Sequence, residues 1–228
     1  MLSAEASRPG AGFAVVDVET TGSSSRRHRV VELAVVLLDG EHRVEGEFAT
    51  LVDPEGPVGP THIHGIAPED LRRAGEPAPR FGQIAGRLLT LLRGRVLVGH
   101  NVGCDHAFLA AEYGRLGVRL PVLPQLCTMR LAERFLGPLD GLSLRACAAA
   151  AGVPRWVEHT ALGDARAAGA LFTRCVRTAG ADLVAPAGVS ARTAALEWPG
   201  LPRTGCDGAW KINEVRRSMV SGHGRGGA

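Results

Sequence analysis

Apolar residues run almost unbroken from position 13 to 18, and again, for longer, from 30 to 38. Runs of this kind belong to strands covered on both faces. A third segment, 43–52, follows Asp39-Gly40, a dipeptide suited to a tight hairpin. Three strands in an antiparallel meander are therefore expected first. The period then changes. Phe81, Ile84, Ala85, Leu88, Leu89 and Leu92 recur at helical spacing. Residues 95–99 read as a short strand, and 105–116 as a helix with Leu109, Tyr113 and Leu116 along one face. A last strand is expected over 121–126 and a helix over 129–136. Two more helices should run over 144–151 and 161–177, capped by the hydroxyls of Ser143 and Thr160. Strands first, then helices alternating with strands, mean an α/β domain. Its sheet is mixed and five-stranded, an antiparallel meander followed by parallel strands, with helices on its flanks.

The segment 53–79 is rich in Pro, Gly and His and reads as loop with one short helix near 68–72. Beyond 180 the composition shifts to Ala, Gly, Pro and Arg. The chain thus divides into a flexible leader, 1–11, a single domain, 12–179, and a tail, 180–228. A short helix is expected over 210–219, with a disordered glycine-rich end after it.

Composition changes this picture little. A chain of 228 residues, 45% hydrophobic, can bury one good core. A net charge of +3 admits a nucleic-acid partner without requiring one. Lys211 is the sole lysine, an arginine bias of the kind a GC-rich genome produces. Cys104, Cys127, Cys147, Cys175 and Cys206 are odd in number and never form Cys-x-x-Cys, which argues against a disulfide framework and a zinc site. With no basic-then-apolar leader and no apolar run of bilayer length, a cytoplasmic protein without membrane contact is expected.

The chemistry lies in three short blocks: Asp17-Val18-Glu19-Thr20-Thr21-Gly22, then His100-Asn101-Val102-Gly103-Cys104-Asp105, then His159-Thr160-Ala161-Leu162-Gly163-Asp164. Asp17 and Glu19 are two apart on a strand, so both leave the same face where the chain exits the core. Asp105 and Asp164 fall at helix starts, where an anion is favoured. Carboxylates gathered this way repel each other unless a cation lies between them, and an all-oxygen site suits Mg²⁺ or Mn²⁺ and phosphate chemistry. His159 supplies what such a site still lacks, a group that takes a proton from water near neutral pH. Cys104 is expected to be a small buried hydrophobe.

In these blocks the sequence resembles the DEDDh 3′–5′ exonucleases, a family that includes the proofreading epsilon subunit of bacterial DNA polymerase III. The resemblance covers roughly residues 12–178 and implies a ribonuclease H-like fold. It implies two ions, Mg²⁺ or Mn²⁺. Asp17, Glu19 and Asp164 would hold one, Asp17 and Asp105 the other, and His159 would be the general base. It places Thr20, Thr21 and Gly22 along the pocket for the terminal nucleotide, with Asn101 positioning it. His64-Gly65-Ile66 is similar to the family's substrate-side loop, making His64 a further substrate-binding candidate. The implied substrate is a single-stranded or frayed 3′ end of DNA, released as nucleoside 5′-monophosphates in proofreading or repair. RNA is the alternative substrate, and a non-catalytic, polymerase-associated binding module the more distant one. In polymerase-associated relatives a C-terminal segment reaches a DNA polymerase. Leu196, Trp198 and Trp210 are the candidate docking residues here. Many members carry an aromatic residue where this chain has Cys104.

Overall fold

The computed structural model describes residues 12–180 and 196–200. The leader 1–11, the expected helix 210–219 and Trp210 lie outside the described residues. Strands β1 (Gly12–Thr20), β2 (Val30–Leu38) and β3 (Val44–Leu51) form the expected meander. Strands β4 (Arg95–Gly99) and β5 (Gln125–Cys127) complete one sheet of order β3-β2-β1-β4-β5. β1 is antiparallel to β2 and parallel to β4, and β5 is parallel to β4. The mixed, five-stranded sheet is therefore present as expected.

Alternation along β1 sends its side chains to two different cores. Ala14 and Val16 join Leu33 and Val35 beneath α2 (Phe81–Leu92) and α3 (Val102–Arg115). All six apolar residues that announced α2 are buried. Phe13 and Val15 face the other way, with Ala34 and Val36, onto Ala161, Ala165, Ala168 and Phe172 of α6 (Ala161–Ala179). A helix lined with alanine can lie close to a sheet, and at Gly169 it does: a Cβ there would already touch Val15. Helices α4 (Thr128–Phe135) and α5 (Leu144–Ala150) pack on α6 through a third cluster that includes Ala132, Cys147, Leu171 and Cys175. Ser143 and Thr160 cap α5 and α6 as expected, accepting from Ala146 N–H and Gly163 N–H.

Three boundaries differ from expectation. β5 is shorter than 121–126 because Pro121 and Pro124 carry no N–H; the Pro124 carbonyl accepts from Leu97, and the ladder begins only after it. α3 begins three residues before Asp105. Asn101, in the left-handed conformation that Asn tolerates, turns the chain straight from β4 into the helix. The loop after β3 holds an unforeseen four-residue helix, α1 (Thr61–His64), ended by left-handed Gly65, besides the 3-10 turn at Pro68–Gly75. Leu196 and Trp198, two of the candidate docking residues, are half-buried against the α2 side of this chain's own core, with Arg93 stacked on the Trp198 ring. No helix among the described residues is long and apolar enough to cross a membrane.

One buried ion pair fixes the β1–β2 loop. Glu112, almost wholly buried on α3, receives the Arg29 fork at 2.9 and 3.0 Å and the Val30 N–H at 3.1 Å. One turn on, Arg115 donates to the carbonyls of Ser25 and His28. Glu112→Ala strips the Val30 N–H of this acceptor and leaves the Arg29 fork only the Pro54 carbonyl at 3.3 Å and the more exposed Glu55 at 3.5 Å. It is expected to lower the unfolding free energy by about 3 kcal/mol, the lower end for a broken buried pair because Arg29 keeps some solvent. Urea denaturation checks this, and Glu112→Gln, which keeps an acceptor, should lose less.

Candidate active site

β4 pairs with β1 only as far as Val15, while β1 runs on to Thr20. The last residues of β1 therefore have a bare edge on that side. α3 fills it: Asp105 Oδ1 accepts the Val18 N–H at 3.2 Å, and the Asp105 side chain is buried. Asp17 and Glu19 share the face of Phe13 and Val15, so they point toward α6. Glu19 lies opposite Glu32 of β2, and a bulge follows immediately, where Thr20 pairs with Val30.

The start of α6 meets this acidic strand end. Asp164 lies in its first turn, and Oδ2 accepts the main-chain N–H of His159 at 3.0 Å. His159 is exposed and sits in the left-handed conformation (φ 56°), which folds the chain back so that its own amide reaches Asp164. A ring nitrogen of His159 and carboxylate oxygens of Glu19 and Asp164 all lie within 4.8 Å of one another. Two residues that the sequence reading passed over support this corner. Glu32, buried on β2, accepts the N–H of Ala161, the first residue of α6, at 2.9 Å. Trp156 donates its indole N–H to Asp164 Oδ1. Glu32 could have been noticed as an acid inside the apolar run 30–38; nothing in the sequence singled out Trp156.

The substrate-side candidates are placed as follows. Thr20 Oγ1 donates to the Gly22 carbonyl, and Thr21 Oγ1 accepts the Arg29 N–H, so both threonines shape the turn after β1. Gly22 lies against the His28 ring, where a Cβ would come within 2.4 Å of Cε1. Gly59, just ahead of α1, presses on Thr21 so closely that no side chain fits. His64 is buried, its Nδ1 accepting the Ile66 N–H. Asn101 is exposed at the head of α3 and donates to the Cys104 sulfur. Cys104 is exposed, against expectation, because the inward stripe of α3 runs through Val102, Asp105, Phe108 and Leu109 and leaves position 104 outside.

Like charge dominates the electrostatics. Asp17 is held well above the usual carboxylate range, by burial first and then by the charges of Asp105, Asp164, Glu19 and Glu32. Asp105 is pushed up to about 8, mainly by burial and also by Glu19, although the Val18 N–H pulls the other way. Asp164 is raised by burial and partly relieved by Trp156 and His159. Carboxylates this close ionise together only with positive charge among them. The donor set is oxygen, with one imidazole at the rim, and it fits hard divalent cations such as Mg²⁺ or Mn²⁺.

A mixed sheet with acids at the end of its central strand, completed by acids from helices on both faces, defines a nuclease domain of the ribonuclease H-like class. An exonuclease family model matches residues 14–172, and the chain belongs to that family. A Mycobacterium tuberculosis protein whose name couples an exonuclease with an endonuclease is 36% identical over 169 residues, covering 68% of this chain and 25% of that one. A DNA polymerase III subunit epsilon-like protein of Rhodobacter capsulatus is 34% identical over 168 residues, covering 71% and 23%. The Bacillus subtilis 3′–5′ exonuclease DinG is 26% identical over 161 residues, covering 70% and 17%. The chain thus spans a quarter or less of the length of these relatives. Among solved structures, E. coli exonuclease I in complex with a dT13 oligonucleotide shares the fold, with a TM-score of 0.62 at 20% identity over 72% of this chain and 40% of that one.

The raised carboxyls predict a pH dependence. Between the ordinary Asp value near 4 and about 8, metal-free folded protein keeps a proton on Asp105 that the unfolded chain has released. This contribution therefore weakens stability as pH rises through that window. In EDTA, the wild-type melting temperature is expected to fall between pH 5 and pH 8 relative to Asp105→Asn, and Mg²⁺ should restore most at pH 8. Parallel profiles for the two proteins would contradict it.

Proposed function

We propose that this chain is a metal-dependent 3′–5′ exonuclease that releases nucleoside 5′-monophosphates from the 3′ end of DNA. The observation that carries the reading is the meeting of His159, Glu19 and Asp164 within 4.8 Å at the end of β1, with the charges of Glu19, Asp105 and Asp164 all bearing on the buried carboxyl of Asp17. The names of the relatives support DNA and this polarity: an epsilon-like protein, DNA polymerases III of PolC type and a 3′–5′ exonuclease. They also support proofreading or repair as the setting, and the oligonucleotide complex of exonuclease I supports a single-stranded end as substrate.

Asp17, Glu19 and Asp164 would hold one ion, and Asp17 with Asp105 a second. A bound pair of Mg²⁺ or Mn²⁺ would supply Lewis-acid activation of water and charge compensation at the scissile phosphate. The imidazole of His159, open to solvent beside Glu19 and Asp164, takes the proton of the attacking water at a ring nitrogen. The turn of Thr20, Thr21 and Gly22, braced by Arg29 and His28, lines the seat of the terminal nucleotide, with Asn101 and His64 as further substrate-side residues. Contacts to backbone phosphates and stacking on base faces need little sequence information, so frayed ends are favoured whatever their sequence.

The test is hydrolysis of a 3′-labelled single-stranded DNA oligonucleotide, with a matched RNA beside it. Nucleoside 5′-monophosphate should appear with Mg²⁺ or Mn²⁺ and stop in excess EDTA, with RNA the slower substrate. His159→Ala and Asp17→Asn should each slow hydrolysis by about 10²–10⁴-fold with the fold retained by circular dichroism. Hydrolysis in EDTA at the full rate, or a wild-type rate for His159→Ala, defeats the reading.

A further inference from the structure

Trp156 stands outside the acidic set, yet it touches it. Its indole N–H takes Asp164 Oδ1 from one side while the His159 amide takes Oδ2 from the other. A carboxylate held at both oxygens has its plane and direction set before any cation arrives. The segment carrying Trp156 is itself seated. Thr160 Oγ1 donates to the Val157 carbonyl at 2.9 Å, and the Arg145–Glu158 ion pair ties the next residue to α5. The segment lies directly on Gly163: a Cβ there would come within 2.4 Å of the Val157 carbonyl oxygen and 3.3 Å of Trp156 Cδ1. The bare backbone at Gly163 lets the indole cross the start of α6 and reach Asp164.

We propose that Trp156 is a positioning residue of the metal site, its indole N–H aiming the Asp164 carboxylate at the cation; this rests on the metal-dependent reading above. Groups that hydrogen-bond a metal ligand typically govern affinity by 10- to 100-fold. The full chain without nucleic acid is titrated with Mn²⁺ alone by calorimetry. Trp156→Phe, which keeps an aromatic ring and deletes the donor, is expected to weaken Mn²⁺ by about tenfold. Gly163→Ala, which pushes the segment off the helix, should do the same and serves where Trp156→Phe folds poorly. A spectroscopic readout accompanies this. In Trp198→Phe/Trp210→Phe protein Trp156 is the remaining tryptophan, and its emission should change with Mg²⁺ at the half-saturation that calorimetry gives for that protein. Equal Mn²⁺ affinity in wild type and the variants overturns the proposal, as does emission indifferent to saturating Mg²⁺. A wild-type chain that binds no Mn²⁺ removes the metal-dependent reading itself, and the role of Trp156 with it.

Discussion

Asp17 lies in the field of four other carboxylates, those of Glu19, Glu32, Asp105 and Asp164, and the fold has to hold them together against their repulsion. It does so with main-chain amides. The Val18 N–H holds Asp105, the Ala161 N–H holds Glu32, and the His159 N–H holds Asp164. Each donor comes from a place where regular structure leaves an amide without a partner: the edge of a strand that outruns its neighbour, or the entry to a helix. The same bonds that complete the backbone therefore aim the charges. The balance is uneven. Burial still pushes Asp105 up to about 8, whereas Asp164, only half-buried, is raised by burial but relieved by the Trp156 indole and the His159 amide.

Strand length decides where these acids can meet. α3 packs on one face of the sheet and α6 on the other. As long as β4 lies beside β1, the sheet separates what the two helices carry. Past Val15 that wall is gone, and Asp105 from one face meets the strand edge next to Asp17 and Glu19, which point to the other face. The short β4 and the long β1 are thus a requirement of the site. A crevice at the carboxyl ends of the strands, where the order turns from antiparallel to parallel neighbours, is the general place for ligands in sheets of this kind.

The sequence disclosed the parts of this design that have a period or a charge. The apolar runs of β1 and β2, the stripe of α2 and the caps Ser143 and Thr160 are local signals, and the structure has each of them. The acids of the three blocks were conspicuous because a carboxylate beside a buried strand is unusual. What escaped notice works across long separations. The bond from Glu32 to Ala161 joins residues 129 apart, and Arg29 meets Glu112 across 83. Arg29 and Glu112 do not differ, in sequence, from ordinary surface charges, and Glu32 stands out only as an acid inside an apolar run. Trp156 reads as a loop aromatic until the neighbouring glycine is seen to make room for it. β5 is shorter than its apolar residues suggest because two prolines interrupt the ladder, and Cys104, a residue type usually buried, lies outside because the inward stripe of α3 passes through Val102 and Asp105.

The charge pattern bears on what the domain can be for. Over the whole chain basic residues outnumber acidic ones, 26 to 23, but at the end of β1 the local sign is negative. A phosphodiester brought there alone would be repelled, since it is an anion approaching anions. A module that only gripped nucleic acid would be better served by the reverse arrangement, with arginine at the centre. The exposed Arg26 and Arg27 instead lie in the loop that Glu112 and Arg115 fasten to α3, beyond the turn of Thr20–Gly22. A strand could be gathered by such peripheral charge, but its last phosphate can enter the acidic corner only where cations have already reversed the sign. Grouping the acids so tightly raises their proton affinity and destabilises the empty domain near neutral pH, a burden with no return for binding alone. It makes sense for a site that has to polarise a phosphate and a water together, which is why catalysis is the reading that the arrangement favours.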